Sequence, residues 1–202
     1  MWDAVYWQLV KEDYPYYSPV QLVPEVAPYV IHIDAISKGF AATGLRVGWA
    51  VLPDYLQPKM KALIGHMGAW AARPEQIATA ALLNDSEAVK TYNTWIRSEV
   101  DARLDALYDG IMAMKTKGLP VDAIEPQGAI YLSFRVNIPG QTNEAIRALL
   151  LNHAGMAVVP FQAFDLKEDS GWFRISVGAV GLSEIPPMLE RLEAMISEQA
   201  GS

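Results

Sequence analysis

Apolar residues recur at Val89, Tyr92, Ile96, Val100, Leu104, Leu107, Ile111 and Met114, always three or four positions apart. That spacing is a single stripe along one helix. Asp85 or Ser86 suits its N-cap, and acidic Glu87 suits its first turn. Lys115 and Lys117 favour the negative end, and Gly118 with Pro120 stops the helix. Such a helix is roughly 45 Å long. One small domain does not need that length, so the helix is expected to span two lobes. The alternative is a pair of helices broken near Asp101.

On either side the pattern shortens. The first seven residues read as a strand end running into a loop, where an acidic residue is well placed to meet a ligand if the sheet is an open α/β one. Pro15, Pro19, Pro24 and Pro28 punctuate an irregular crossing segment. Residues 29–33 and 45–52 read as buried strands, 53–67 as a helix, and Pro74 opens another helix to about Leu83. After the long helix come a strand at 128–136, a helix from Thr142 to about His153, and strands at 156–159 and 172–177. A last helix is expected to be capped by Ser183, with Pro186 and Pro187 in its first turn. The predicted organisation is part of an α/β domain over 1–84, a connecting helix over 85–117 and an α+β domain over 118–202. There is no internal repeat.

Composition narrows the functional classes. The chain has 202 residues and is 51% hydrophobic, enough for a sizeable core. A net charge of -7 argues against a nucleic-acid partner. The absence of cysteine excludes disulfides and thiolate zinc sites. His32, His66 and His153 lack metal-ligand spacing and read as structural residues. No apolar run is long enough to span a bilayer, and polar residues interrupt the first 15 positions, so neither a membrane span nor a signal peptide is expected. A soluble, cytoplasmic protein is the expectation.

The chemistry concentrates in Asp34-Ala-Ile-Ser-Lys-Gly-Phe-Ala-Ala-Thr-Gly-Leu-Arg-Val-Gly-Trp49. Lys38 follows Ser37 and stands eight residues before Arg46, with small or apolar residues and two glycines between. A shielded lysine can attack a carbonyl and form a Schiff base. A nearby arginine can clamp a phosphate with its planar fork of donors. Together they point to a site for an aldehyde that carries a phosphate. Three further segments stand out: Asp3-x-x-Tyr6, Pro126-Gln-Gly-Ala-Ile-Tyr-Leu132 and Trp172-Phe-Arg-Ile-Ser176, which holds Arg174.

In this order, and with the Ser-Lys-x-Phe-x-x-x-Gly-x-Arg-x-Gly core, the chain resembles the C-terminal portion of a class I/II aminotransferase. That is the fold type I, pyridoxal 5'-phosphate-dependent aspartate aminotransferase superfamily. The resemblance implies that Lys38 forms the Schiff base and shuttles the proton between substrate and cofactor. It implies that Asp3 pairs with the pyridine nitrogen and that Tyr6 binds the cofactor's phenolic oxygen. Arg46 and Ser37 would hold the phosphate, and Arg174 the substrate α-carboxylate. Relatives often carry a hydroxyl where this chain has Ala35, and glycine where it has Phe161. Tyr131 and Phe164 would line the substrate entrance or serve as core aromatics, and Arg73 is a loop candidate for a side-chain carboxylate.

The same resemblance implies an N-terminal half that is not in this sequence, carrying a phosphate loop, a stacking aromatic and much of a homodimer contact. The expectation is therefore a partial chain that binds the cofactor poorly and turns over little. The implied reaction is transfer of an amino group from an aspartate-like or aromatic amino acid to a 2-oxo acid. Alternatives on the same fold are a β-lyase acting on sulfur amino acids and a non-catalytic ligand-sensing domain of a transcription regulator.

Overall fold

The structure, a computed structural model, describes residues 1–200. Packing divides the chain into two compact units, Met1–Ser98 and Glu99–Ser202. The division falls inside the long helix.

The first unit opens with strand β1 (Trp2–Asp3), a 3-10 turn at Trp7–Leu9 and the short helix α1 (Pro19–Leu22). Ser18 caps α1 through a reciprocal pair of bonds with Gln21. A second 3-10 turn (Pro24–Tyr29) leads to β2 (His32–Ala35), the one-turn helix α2 (Ile36–Gly39) and β3 (Gly48–Val51). Helices α3 (Gln57–Met67) and α4 (Arg73–Leu83) precede α5 (Ser86–Thr116). The sheet order is β1-β2-β3, with β1 parallel and β3 antiparallel to β2.

Two strand expectations are corrected here. The strand expected at 29–33 begins at His32, because Pro24–Tyr29 winds into a 3-10 turn around Pro28 and leaves Tyr29 exposed. The strand expected at 45–52 shrinks to Gly48–Val51, since Arg46 adopts a left-handed φ of 57° that ends any extended run. The helix expected from residue 53 starts at Gln57. The core of this unit is small. Ile36, Phe40 and Val47 form a buried cluster packed by Trp49, Ala71, Val89 and Tyr92. The Phe40 and Tyr92 rings stack at 5.6 Å.

Helix α5 is unbroken over 31 residues, about 46 Å, so the two-helix alternative does not hold. Asp85 accepts a hydrogen bond from the Ala88 amide at 3.0 Å, as an N-cap does. The predicted stripe is buried from Val100 to Met114, whereas Val89, Tyr92 and Ile96 are half-buried.

The second unit continues with β4 (Val121–Ala123), β5 (Tyr131–Val136) and α6 (Asn143–Leu149), which a π turn (Leu150–Ala154) extends. Then come β6 (Val159–Pro160), a 3-10 turn (Phe161–Phe164), β7 (Trp172–Ser176), another 3-10 turn (Leu182–Glu184) and α7 (Ile185–Ala200). The sheet is antiparallel in the order β4-β5-β7-β6. Strand β5 alternates half-buried and buried positions, so Leu132, Phe134 and Val136 face the core. Strand β4 was not foreseen, because three residues between Pro120 and Pro126 carry no period. The strand expected at 156–159 is reduced to a two-residue pairing. Ser183 does not cap the last helix: it lies inside a 3-10 turn that Glu184 closes by accepting a bond from the Gly181 amide at 2.6 Å.

Gly171 joins these elements. Its amide donates to the buried Asn143 side chain at 2.8 Å, and its carbonyl accepts from the Val136 amide at 2.9 Å. Its φ is +73°, and an added Cβ would sit 2.5 Å from the Val136 carbonyl oxygen. Gly171→Ala is therefore expected to destabilise the chain by about 2 kcal/mol or more. Urea unfolding of the two proteins checks this.

Candidate active site

Lys38 owes its position to the alternation inside α2. Ile36 and Phe40, four residues apart, are buried on one face of the turn. Ser37 and Lys38 fall between them and are half-buried. The Lys38 Nζ lies 5.9 Å from the centroid of the Tyr6 ring. Gly39 is buried where α2 approaches the Trp7–Leu9 turn, and a Cβ there would overlap the Gln8 side chain. With no Cβ at residue 39, the end of the Gln8 side chain lies close against the α2 backbone.

Asp3 ends β1 directly beside β2, opposite Ile33, and its side chain is open to solvent apart from a bond accepted from the Val5 amide at 3.1 Å. The chain then turns through buried Ala4 into the 3-10 turn that Tyr6 heads. Asp3, Tyr6, Ser37 and Lys38 thus come from two neighbouring parallel strands and the turns that leave them. Arg46 sits on the loop back from α2, exposed, with its Nη1 donating to the Thr43 carbonyl at 2.8 Å. Ala35 stands at the N-cap of α2 and brings no side-chain capping bond.

The strand immediately before this turn carries a residue to which the sequence assigned no role. Asp34 is 6% exposed and uses both carboxylate oxygens. Oδ2 accepts from the Trp7 indole at 2.9 Å, and Oδ1 accepts from the Ala35 amide at 2.7 Å. Burial raises its pKa above the ordinary aspartate value of 3.8, against the lowering effects of the Trp7 and Ala35 bonds and of nearby His32. Trp7, Tyr16, Ser18, Gln21, His32 and Asp34 line a cleft of about 320 Å³. Spacing could not reveal the pair, because Trp7 and Asp34 are 27 residues apart.

Arg174 belongs to the second unit. Its guanidinium lies 4.1 Å from the Tyr131 centroid and 4.4 Å from the Phe164 centroid. Ser133 pairs with Arg174 across β5 and β7, and Tyr131, two residues along, emerges on the same face. Phe164 comes from the 3-10 turn, where Phe161 packs edge-on against it at 6.0 Å and also meets Trp172 at 6.2 Å. Each cation–π contact contributes roughly 0.5–1 kcal/mol at a part-exposed site, and two rings limit the directions the fork can take. Arg73 opens helix α4 and is not in a loop. Among the described residues there is no cluster of metal-binding side chains, and no helix is long and apolar enough to cross a membrane.

The sequence profile described as aminotransferase class I and II matches residues 1–192. The chain is 29% identical over 197 residues to the aspartate aminotransferase of Pyrococcus abyssi, covering 98% of this chain and 48% of that protein. It is 26% identical to aromatic-amino-acid aminotransferase 2 of Thermococcus litoralis, again over 98% of this chain and 48% of the relative. The crystal structure of an aromatic aminotransferase from Pyrococcus horikoshii superposes with a TM-score of 0.84 at 28% identity, covering 98% of this chain and 51% of that one. The fold is thus that of fold type I aminotransferases, and the chain spans about half the length of the curated relatives it matches.

The raised pKa of Asp34 has a signed consequence for stability. The folded chain holds that proton more tightly than the unfolded chain, so the contribution of Asp34 is greatest below pH 3.8 and is lost as pH rises through the folded pKa. Asp34→Asn removes this dependence. Urea unfolding free energies measured in steps upward from about pH 4 should show the difference between the two proteins changing across that window and constant above it.

Proposed function

The chain belongs to the class I and II aminotransferase family. From that premise we propose that it forms part of a pyridoxal 5'-phosphate-dependent enzyme that moves an amino group between an amino acid and a 2-oxo acid. The observation that carries the reading is the Lys38 amine beside Tyr6, on the turn leaving β2 next to the end of β1 that bears Asp3. The donor set suits that cofactor: an amine for its aldehyde, a carboxylate for its ring nitrogen, a phenol for its hydroxyl, and Ser37 with Arg46 for its phosphate.

When bound, the cofactor supplies an aldehyde and an electron-withdrawing ring that accepts charge from the substrate α-carbon. Lys38 would be the nucleophile toward the aldehyde and the base that moves the proton at the substrate α-carbon. Asp3 keeps a proton on the ring nitrogen. Tyr6 donates to the phenolic oxygen. Arg46 and Ser37 orient the phosphate, with Ala35 offering no second hydroxyl there. Arg174 grips the substrate α-carboxylate with both prongs of its fork, held between Tyr131 and Phe164. Relatives named for aspartate and for aromatic amino acids support a donor of one of those classes, and their being named as transferases favours transfer over elimination or ligand sensing.

The exposed apolar side chains of the first unit support a role within a larger assembly. Met67, Val51, Trp70 and Ile77 are all at least 60% exposed. We take the working enzyme to be a cytoplasmic homodimer that includes the remaining half of the family's chain.

Two measurements test this reading. In the longer protein, adding an aspartate-like or aromatic donor should shift the cofactor absorbance to the pyridoxamine form. Lys38→Ala should slow that step about a thousandfold or more, and Arg174→Lys should cost roughly tenfold to a hundredfold in kcat/KM. The 202-residue chain alone should bind pyridoxal phosphate weakly and show no turnover in a coupled transaminase assay; robust turnover would contradict the partial-site reading.

A further inference from the structure

Lys38 and Tyr6 reach one another from segments that are far apart in sequence, so something has to fix their separation. The Trp7–Leu9 turn approaches α2 through the glycine at position 39, but close approach alone sets no register along the contact. A directional bond does. The Trp7 indole donates to Asp34, and the other oxygen of that carboxylate takes the Ala35 amide at the head of α2. Trp7 is the residue after Tyr6, and Asp34 lies four residues before Lys38. Trp7 is itself steadied by Tyr16, whose ring lies 6.2 Å away and whose hydroxyl accepts from the Trp2 indole at 2.8 Å.

We propose that Asp34 is a positioning residue for the Lys38–Tyr6 pair, its buried carboxylate tying the Trp7 indole to the backbone that launches α2. This rests on the reading of Lys38 as the aldehyde-binding amine. Burial makes the link firm: a carboxylate enclosed at the end of β2 has little water to exchange for its two donors. Asparagine in its place keeps one acceptor oxygen and turns an NH2 toward the other donor, so one of the two bonds is lost. Asp34 touches neither the aldehyde nor the substrate, and its effect passes through the placement of the amine and the phenol.

The test uses the full chain with two readouts. In the first, lysines are reductively methylated with a 13C label, and the Lys38 resonance is assigned by its loss in Lys38→Arg. In the second, the chain is incubated with millimolar pyridoxal phosphate. Condensation of the Lys38 amine with the aldehyde releases water, borohydride reduces the resulting C=N bond, and the modified peptide is quantified by mass spectrometry. Asp34→Asn and Trp7→Phe are each expected to move the Lys38 resonance and to lower its trapped fraction about tenfold. The double variant should be no worse than either single one, because each breaks the one link that runs from Trp7 through Asp34 to the head of α2. Asp54→Asn, an exposed carboxylate of the same unit, is the control and should change neither readout. Trp7 is 42% exposed, so Trp7→Phe is a safe variant should Asp34→Asn fail to fold. The proposal is overturned if folded Asp34→Asn or Trp7→Phe leaves both the resonance and the trapping unchanged, or if the two effects add in the double variant. A resonance that moves in both variants, in a wild-type chain whose Lys38 is never trapped, upholds the positioning link and overturns only the cofactor reading.

Discussion

A single turn of helix must present an amine while burying its neighbours, and this constraint organises the first unit. Ile36 and Phe40 occupy one side of α2 and are sealed by Val47 from the returning loop and by Tyr92 from α5. Burying two large side chains four residues apart leaves the intervening Ser37 and Lys38 on the other side. The amine is therefore aimed by hydrophobic packing behind it. Without that cluster a four-residue helix would have no reason to persist, since so short a segment is unstable by itself.

The two units meet the demands of stability differently. Among the described residues, the buried apolar side chains of the first unit are Ala4, Leu9, Ile36, Phe40 and Val47, whereas the second buries one face each of β5, β7 and α7 and the α5 stripe from Val100 to Met114. A core of that size, with Phe134 and Phe173 fully enclosed and in contact at 6.0 Å, gives the second unit the means of holding its own shape. The first unit instead leaves tryptophan, methionine and isoleucine side chains in water. The first carries a lysine beside a phenol ring, and the second an arginine whose fork lies against two rings.

Charged groups in both units are oriented by π-systems. Lys38 faces a phenol ring, Arg174 lies between a phenol and a phenyl, and Asp34 takes its bond from an indole. An ion pair would neutralise a lysine or an arginine. Contact with an aromatic face orients the cation and leaves its hydrogen-bond donors available.

Local period made much of this legible in the sequence. The stripe from Val89 to Met114 foretold α5, with Asp85 one of its two expected caps, β5 was foreseen to within three residues, and the Ser37–Lys38 to Arg46 spacing marked the family. Contacts between distant segments decided the rest. A strand begins where its neighbour offers hydrogen bonds, so β2 starts at His32 opposite Trp2 and not at Tyr29. The left-handed turn at Arg46, the bond from Trp7 to Asp34 and the sandwich of Arg174 between residues from β5 and a 3-10 turn leave no mark in spacing. Periodicity records which face of a segment is buried. It does not record which remote side chain lies against that face, and only the packed chain settles that.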